Sequence, residues 1–229
     1  MNNSSIVVYT AITDNYDVSM EPIYPDQGVD FVCFTDNRSQ VKGVWKARDL
    51  PDFESSRDKF NHVKILPHEY LAEYDISIWI DGKLWLTGDV NDIVEVEDSV
   101  IVTRQQPHYD CIYDQAEGVV IEGLADPDVV KNYISRLRNE GFPENYGSSD
   151  VSLLIRRHND QHVRAVMNTW WDEYRKGPNR TQLTFEYALW KHKSDINRLP
   201  FNQPKLLKSH VHNPSSIFGC VHMFCGLKD

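Results

Sequence analysis

Short apolar runs rich in β-branched residues alternate along the chain with stretches whose apolar positions recur every three or four residues. Residues 6–10 (IVVYT) read as a buried strand, as do residues 31–35 (FVCFT), 76–80 (ISIWI), 100–102 (VIV) and 151–155 (VSLLI). The helical spacing predicts a first helix over about residues 57–66, stopped by Pro67, whose ring and missing N–H cannot continue it. A second opens with Asp126 as its cap and Pro127 in its first turn, and runs to about Glu140 before Gly141. A third follows Asn159-Asp160, places Val163, Val166, Met167, Trp170 and Tyr174 on one face, and ends at Gly177-Pro178. That stripe is a core face by default. A fourth helix covers about residues 181–192. Strands alternating with helices predict an α/β fold with a mostly parallel central sheet flanked by helices. No repeat, low-complexity tract or linker divides the chain, so a single domain over residues 1–229 is expected.

Composition narrows the class. The 229 residues are 41% hydrophobic and 25% charged, which excludes a disordered chain, a collagen and a coiled coil. With 24 Lys and Arg against 34 Asp and Glu, the net charge of −10 argues against general nucleic-acid binding, although it allows a local basic pocket. No apolar run reaches the roughly 18 residues of a membrane-spanning helix, so no integral membrane segment is expected. The first residues, Met1-Asn2-Asn3-Ser4-Ser5, do not read as a signal peptide. Cys33 and Cys111 sit in apolar runs and read as core thiols. Cys220 and Cys225 flank His222, but ligand count and spacing are not those of a zinc knuckle. A reducing, cytoplasmic compartment is expected.

Several chemistries lack their motifs. There is no GxGxxG after the first strand, no GxxxxGK[ST], no GxSxG and no HExxH. Asp89-Val90-Asn91-Asp92 lacks the glycine of a calcium loop and reads as a turn opening a short helix. What remains is Asp81, delivered at the end of the apolar strand 76–80 and followed by Gly82 and Lys83. Ligands of open α/β sheets bind outside the carboxyl ends of strands, and a carboxylate emerging there needs a partner. Asp-Gly between apolar runs is also a tight-hairpin signal, and a turn of that kind is compatible with presenting a ligand.

The chain resembles glycosyltransferases of GT-A fold, and within them the TOD/MUCI-type glycosyltransferase-like family. The resemblance rests on Val8-Tyr9-Thr10-Ala11, Cys33-Phe34-Thr35-Asp36, Lys64 to His68 and Ser77 to Gly82. It continues through Cys111-Ile112-Tyr113, Gly141-Phe142-Pro143 and Arg156-Arg157-His158. It spans about residues 6–192, in order, and implies a Rossmann-like nucleotide-sugar half over about 1–105 and an acceptor and catalytic half over about 106–229. Glycogenin-type enzymes are more distantly similar. Their pattern sets a Lys on the helix before an Asp-x-Asp that holds Mn²⁺ on a UDP-sugar diphosphate. Lys64 and Asp81 match, whereas Lys83 stands where the second Asp would be. The resemblance implies Mn²⁺ or Mg²⁺ held by Asp81, the diphosphate, water and a late His, for which His212 is the candidate. Alternatively, Lys83 replaces part of the metal's charge as a direct phosphate partner.

The resemblance also assigns the loop after strand one, with Thr10, Ala11 and Tyr16, to the uracil. It places Asp36 near the ribose or base, while a turn or cap role for Asp36 stays open. Ser148-Ser149-Asp150-Val151 matches a segment beside the donor sugar, and Asp150, just before a strand, is the candidate base or acceptor ligand. Arg180-Thr181-Gln182-Leu183 resembles an Arg-Asp-Gln-Leu segment with Thr181 in place of the Asp, leaving Arg180 and Gln182 to face the sugar. Capping of the fourth helix by Thr181 or Asn179 is the alternative. The implied reaction moves a sugar from a UDP-sugar to the hydroxyl of a glycan or glycoconjugate acceptor, with inversion or retention both open. A catalytically inactive sugar-nucleotide or glycan-binding module is the alternative. A glycosidase ranks below both, because no facing pair of acids is visible.

Overall fold

In the computed structural model, the described residues are 4–25, 28–94, 99–202 and 207–209. The chain opens with β1 (Ile6–Ile12), β2 (Asp30–Thr35) and β3 (Trp45–Arg48), then α1 (Ser56–Ile65), β4 (Ile76–Ile80), β5 (Leu84–Leu86), α2 (Asn91–Val94) and β6 (Ile101–Gln105). It continues through α3 (Ile112–Ile121), α4 (Pro127–Glu140), β7 (Ser149–Arg156), α5 (Gln161–Lys176), α6 (Thr181–His192), β8 (Asn197–Leu199) and β9 (Leu207–Ser209). Seven strands form one sheet in the order β3-β2-β1-β4-β7-β6-β8. Within this sheet the pairings that involve β7 are antiparallel and the others parallel. The expected mostly parallel α/β sheet is therefore present.

The sheet is buried on both faces, which is why its strands read as continuous apolar runs. Along β1, Val7, Tyr9 and Ala11 enter one core with Trp79, Val166, Trp170 and Phe185, while Val8 and Ile12 enter a second with Ile78, Ile80 and Leu84. Helix boundaries follow the caps. Ser55 accepts from Asp58 N at the start of α1, Asp126 caps α4, and Asp160 caps α5. Gly141 closes α4 at φ +81°, a left-handed backbone that a side chain would strain. No described helix is long and apolar enough to cross a membrane.

Some expectations change. Asp81-Gly82 does form a turn, closed by Leu84 N donating to Asp81 O at 2.8 Å, but it is not a hairpin. Both edges of β4 are taken by β1 and β7, so β5 leaves the sheet and pairs with β9 instead. β7 starts at Ser149, so Asp150 lies within the strand rather than ahead of it. At the start of α6 the cap position is Arg180, which makes no side-chain cap bond, so neither Thr181 nor Asn179 caps the helix. The short helix α2 appears where the Asp89 turn opens it. Cys33 and Cys111 are buried and free, as expected of core thiols. The segment with Cys220, His222 and Cys225 lies outside the described residues.

His68, one residue past Pro67, is buried and holds Asn168 Oδ1 at 3.2 Å from its Nε2. Burial, and then the charge of Arg164, push its pKa down from an ordinary 6.5 to about 4. The unfolded chain therefore binds a proton on His68 that the folded chain refuses between those values. Stability from this residue is complete above pH 6.5 and falls as pH drops toward 4, by up to about 3 kcal/mol. In His68→Gln, urea denaturation at stepped pH should show a shallower loss across that window. A slope equal to the wild type's would assign the loss to other groups.

Candidate active site

The C-terminal ends of β1 and β4 open on a groove, and β7, running the other way, brings its first residues to the same edge. Asp81 N donates to Ser152 O at 2.9 Å and so fixes the carboxylate against β7. Two connected clefts make up the groove. The larger, about 500 Å³, is lined by the β1 loop from Ala11 to Asp17, by Trp79 and by Leu124. The smaller, about 260 Å³, is lined by Asn61, Lys64, Ser152, Asn179, Thr181 and Gln182. Arg57, Phe60, Asp81, Lys83 and Arg180 border both. Sites for small ligands run to roughly 300–1,000 Å³, so the combined groove is large enough for one.

Asp81 is the hinge of the site. Its Oδ1 accepts from Lys64 Nζ at 3.0 Å and from Trp79 Nε1 at 2.8 Å. The Lys64 side chain is 5% exposed and that of Asp81 28%. Burial alone would raise the Asp81 pKa. The charges of Lys64 and Lys83, with the two hydrogen bonds, outweigh it and hold the carboxyl below its ordinary value. Gly82 lets Asp17 come close: a Cβ there would stand 2.7 Å from Asp17 Oδ2.

Lys64 is in turn held from behind. Its carbonyl accepts from Tyr9 Oη at 3.1 Å and from Arg156 Nη2 at 2.8 Å. Arg156 is fully buried, and among the described residues no carboxylate is bonded to it. It serves the C-terminal carbonyls of α1, where the helix dipole favours a cation.

Helix α1 presents Arg57, Phe60, Asn61 and Lys64 to the groove, spaced i, i+3, i+4 and i+7 on one face. Lys83 and Arg180 complete a group of four cations beside the ion-paired Asp81, while the carboxylates of Asp14 and Asp17 line the larger cleft, in a chain whose net charge is −10. Burial, and then the neighbouring Arg57 charge, hold the Arg180 guanidinium below its ordinary pKa. Cations crowded in this way at a partly dry site are relieved by an anion.

The other expected residues fall into two sets. Ala11, Tyr16, Lys64, Asp81, Lys83, Arg180 and Gln182 line the groove. Thr10, Asp36 and Asp150 do not. Thr10 is 2% exposed within β1, below the cleft. Asp36 accepts from Asp14 N at 3.0 Å and so anchors the first loop. Both oxygens of Asp150 are engaged: Oδ2 by Arg104 Nη2 at 2.6 Å and Oδ1 by Ser152 N at 3.1 Å. His212 lies outside the described residues. Arg57, Phe60 and Asn61 were missed by the sequence reading, although their spacing with Lys64 was available.

Mg²⁺ and Mn²⁺ favour about six hard ligands, mostly oxygen. Among the described residues no group of three His, Cys, Asp or Glu side chains is placed to hold a metal ion. Asp81 spends one oxygen on Lys64 and Trp79, and Lys83 stands beside it. Asp81 alone among the described residues falls short of that ligand set, which the diphosphate, water and His212 would have to complete.

The mostly parallel seven-stranded sheet flanked by helices is the architecture of the GT-A glycosyltransferases. Solved structures share this architecture. The bifunctional glycosyltransferase WbbM superposes with a TM-score of 0.56 at 12% identity, over 87% of this chain and 39% of that one. The apo form of the glycosyltransferase GlyE from Streptococcus pneumoniae TIGR4 gives 0.51 at 12% identity, over 99% of this chain and 61% of that one. A second GlyE structure gives 0.50 at 12% identity, over 88% of this chain and 46% of that one. The chain thus spans between about two fifths and three fifths of these structures. No curated protein sequence matches it significantly. The sequence profile of the TOD1/MUCI70 glycosyltransferase-like domain matches residues 1–205, and the chain belongs to that family.

Proposed function

We propose that the chain transfers a sugar from a nucleotide diphosphate sugar, a UDP-sugar in the first instance, to a hydroxyl of a glycan or glycoconjugate. The observation that carries this is the gathering of Arg57, Lys83 and Arg180 along both clefts, with Lys64 beside them in the smaller one. A diphosphate placed there neutralises them, and they in turn neutralise the charge that develops as UDP leaves. The larger cleft, with Tyr16, Trp79 and Leu124, suits a nucleoside, and the smaller, polar cleft suits a sugar. In this reading Lys64 and Lys83 stand in for cation charge at the diphosphate, and Asp81 keeps Lys64 oriented.

The one carboxylate that lines the smaller cleft, among the described residues, is Asp81, and it is ion-paired. Inversion requires a carboxylate to deprotonate the acceptor. Asp14 and Asp17 line the larger cleft and not the smaller one, so in this reading the described part of the smaller cleft favours retention over inversion. The same observation favours the second reading, a sugar-nucleotide-binding module without turnover.

A thermal-shift panel of nucleotide sugars, followed by measurement of released UDP, tests the reading. UDP or a UDP-sugar is expected to raise the melting temperature in chelator-containing buffer, because a ligand bound only by the folded state stabilises it. A shift without release of UDP in the presence of acceptors would leave binding and remove transfer. The absence of any shift with nucleoside diphosphates would remove both.

A further inference from the structure

We infer that Asn37, just past the end of β2, is a positioning residue for the nucleoside: with Asp36 it holds the turn that sets Tyr16 in the larger cleft. This rests on the donor reading above and names a residue outside the groove on which nucleotide affinity depends. Ile12 of β1 pairs with Thr35 of β2, so the loops that leave the two strands run side by side. In the first loop, Tyr16 N donates to Thr13 O at 2.9 Å and closes a turn whose central residues, Asp14 and Asn15, stand at φ +54° and +55°. Thr13, Asp14, Tyr16 and Asp17 line the larger cleft, whereas Asn37 lines neither cleft.

A turn with two left-handed centres suits glycine, and Asp and Asn tolerate that backbone singly rather than in succession. Two together persist where their surroundings over-determine them. The second loop supplies this. Asp36 Oδ2 accepts from Asp14 N at 3.0 Å, and Asn37 Nδ2 donates to Asn15 Oδ1 at 2.8 Å. The direction of the second bond is fixed from behind. Asn37 Oδ1 accepts from Ser39 N at 3.2 Å, and a backbone N–H can only donate, so the amide nitrogen of Asn37 is the atom turned to Asn15. Asn37 N donates to Thr35 Oγ1 at 3.0 Å, which ties the clamp to β2. Both left-handed residues are thus bonded to the end of a buried strand, and the next residue in the chain is Tyr16. Without the clamp they relax toward the commoner right-handed and extended backbones, and the ring is carried away from the cleft wall. The effect of Asn37 on a ligand passes through this turn.

The test is calorimetric titration of UDP into wild type, Asn37→Ser, Tyr16→Ala and the double variant. Serine keeps a cap acceptor for Ser39 N but is too short to reach Asn15. Asn37→Ser is expected to bind UDP about fivefold more weakly, the value of one hydrogen bond, and Tyr16→Ala about tenfold, the value of one aromatic ring on a base. Because the ring is already displaced in Asn37→Ser, the double variant should be little weaker than Tyr16→Ala alone. Asn15→Val, whose branched Cβ opposes a left-handed backbone, should reproduce the loss. Asn15→Gly lacks the same hydrogen bond but accepts that backbone, and should lose less. Losses that multiply in the double variant, or unchanged UDP affinity in Asn37→Ser, Asn15→Val or Tyr16→Ala, would overturn the inference and leave the donor reading standing. Wild type that binds no UDP would overturn both.

Discussion

Lys64→Met is expected to lower turnover by at least about 10²-fold, the typical loss when one preorganised charge or donor is removed from a developing anion. The lysine is buried, its carbonyl is gripped by Tyr9 and Arg156, and its ammonium reaches Asp81 at 3.0 Å, so its charge is held in a fixed place. The variant also reverses the balance at Asp81. With Lys64 gone, burial is opposed only by Lys83 and Trp79, and the carboxyl pKa moves up. A carboxylate whose folded pKa is depressed contributes stability that is present above its unfolded value and lost as pH falls through the folded one. That loss starts where the unfolded chain's carboxyl takes up its proton, so in Lys64→Met it should be smaller than in wild type and complete at a higher pH. Steady-state kinetics at saturating donor, with acid denaturation of the same preparations, checks both. Full turnover in Lys64→Met would reduce the Lys64–Asp81 pair to a structural contact.

The second large effect is at Asp150. Its ion pair with Arg104 has side chains 10% and 9% exposed, and Arg104 also holds Ser152 Oγ at 2.5 Å. Asp150→Asn leaves a buried guanidinium without its counter-charge, a change that costs about 3–5 kcal/mol. At this chain length the melting temperature should drop by roughly 10 °C. Turnover of the folded fraction should fall less than about tenfold, because Asp150 lines neither cleft. A general base predicts the opposite pattern, a loss of about 10²–10⁴ in turnover with little change in melting. Measuring both quantities on one preparation separates a partner of Arg104 from a base.

The sequence was most legible where a single period dominates. The apolar strands and the four expected helices appear at or near their expected bounds, because both faces of the sheet are covered and three of the helices are capped, by Ser55, Asp126 and Asp160. What it hid was set by tertiary contact. β5 is three residues long and is a strand only because β9 pairs with it. α3 carries Gly118 in its interior, where a Cβ would overlap the Tyr109 hydroxyl, and that break obscures its period. Arg104 meets Asp150 through a register shift between Thr103 and Arg104, which no local pattern announces. At the site, Lys64, Asp81, Lys83 and Arg180 were readable from their order along the chain. The carboxylates Asp36 and Asp150 were not, because their partners, Asp14 N and Arg104, lie 22 and 46 residues away.

The account stands on one claim, that the groove between α1, β4 and the start of α6 binds a nucleoside diphosphate. Calorimetric titration of UDP into wild type and into Lys64→Met, both in chelator, tests it directly. The account predicts saturable one-to-one binding by wild type, weakened at least about tenfold in the variant, as expected for the loss of a charge-assisted hydrogen bond. No heat of binding from wild type, or equal affinity in the two proteins, would contradict it.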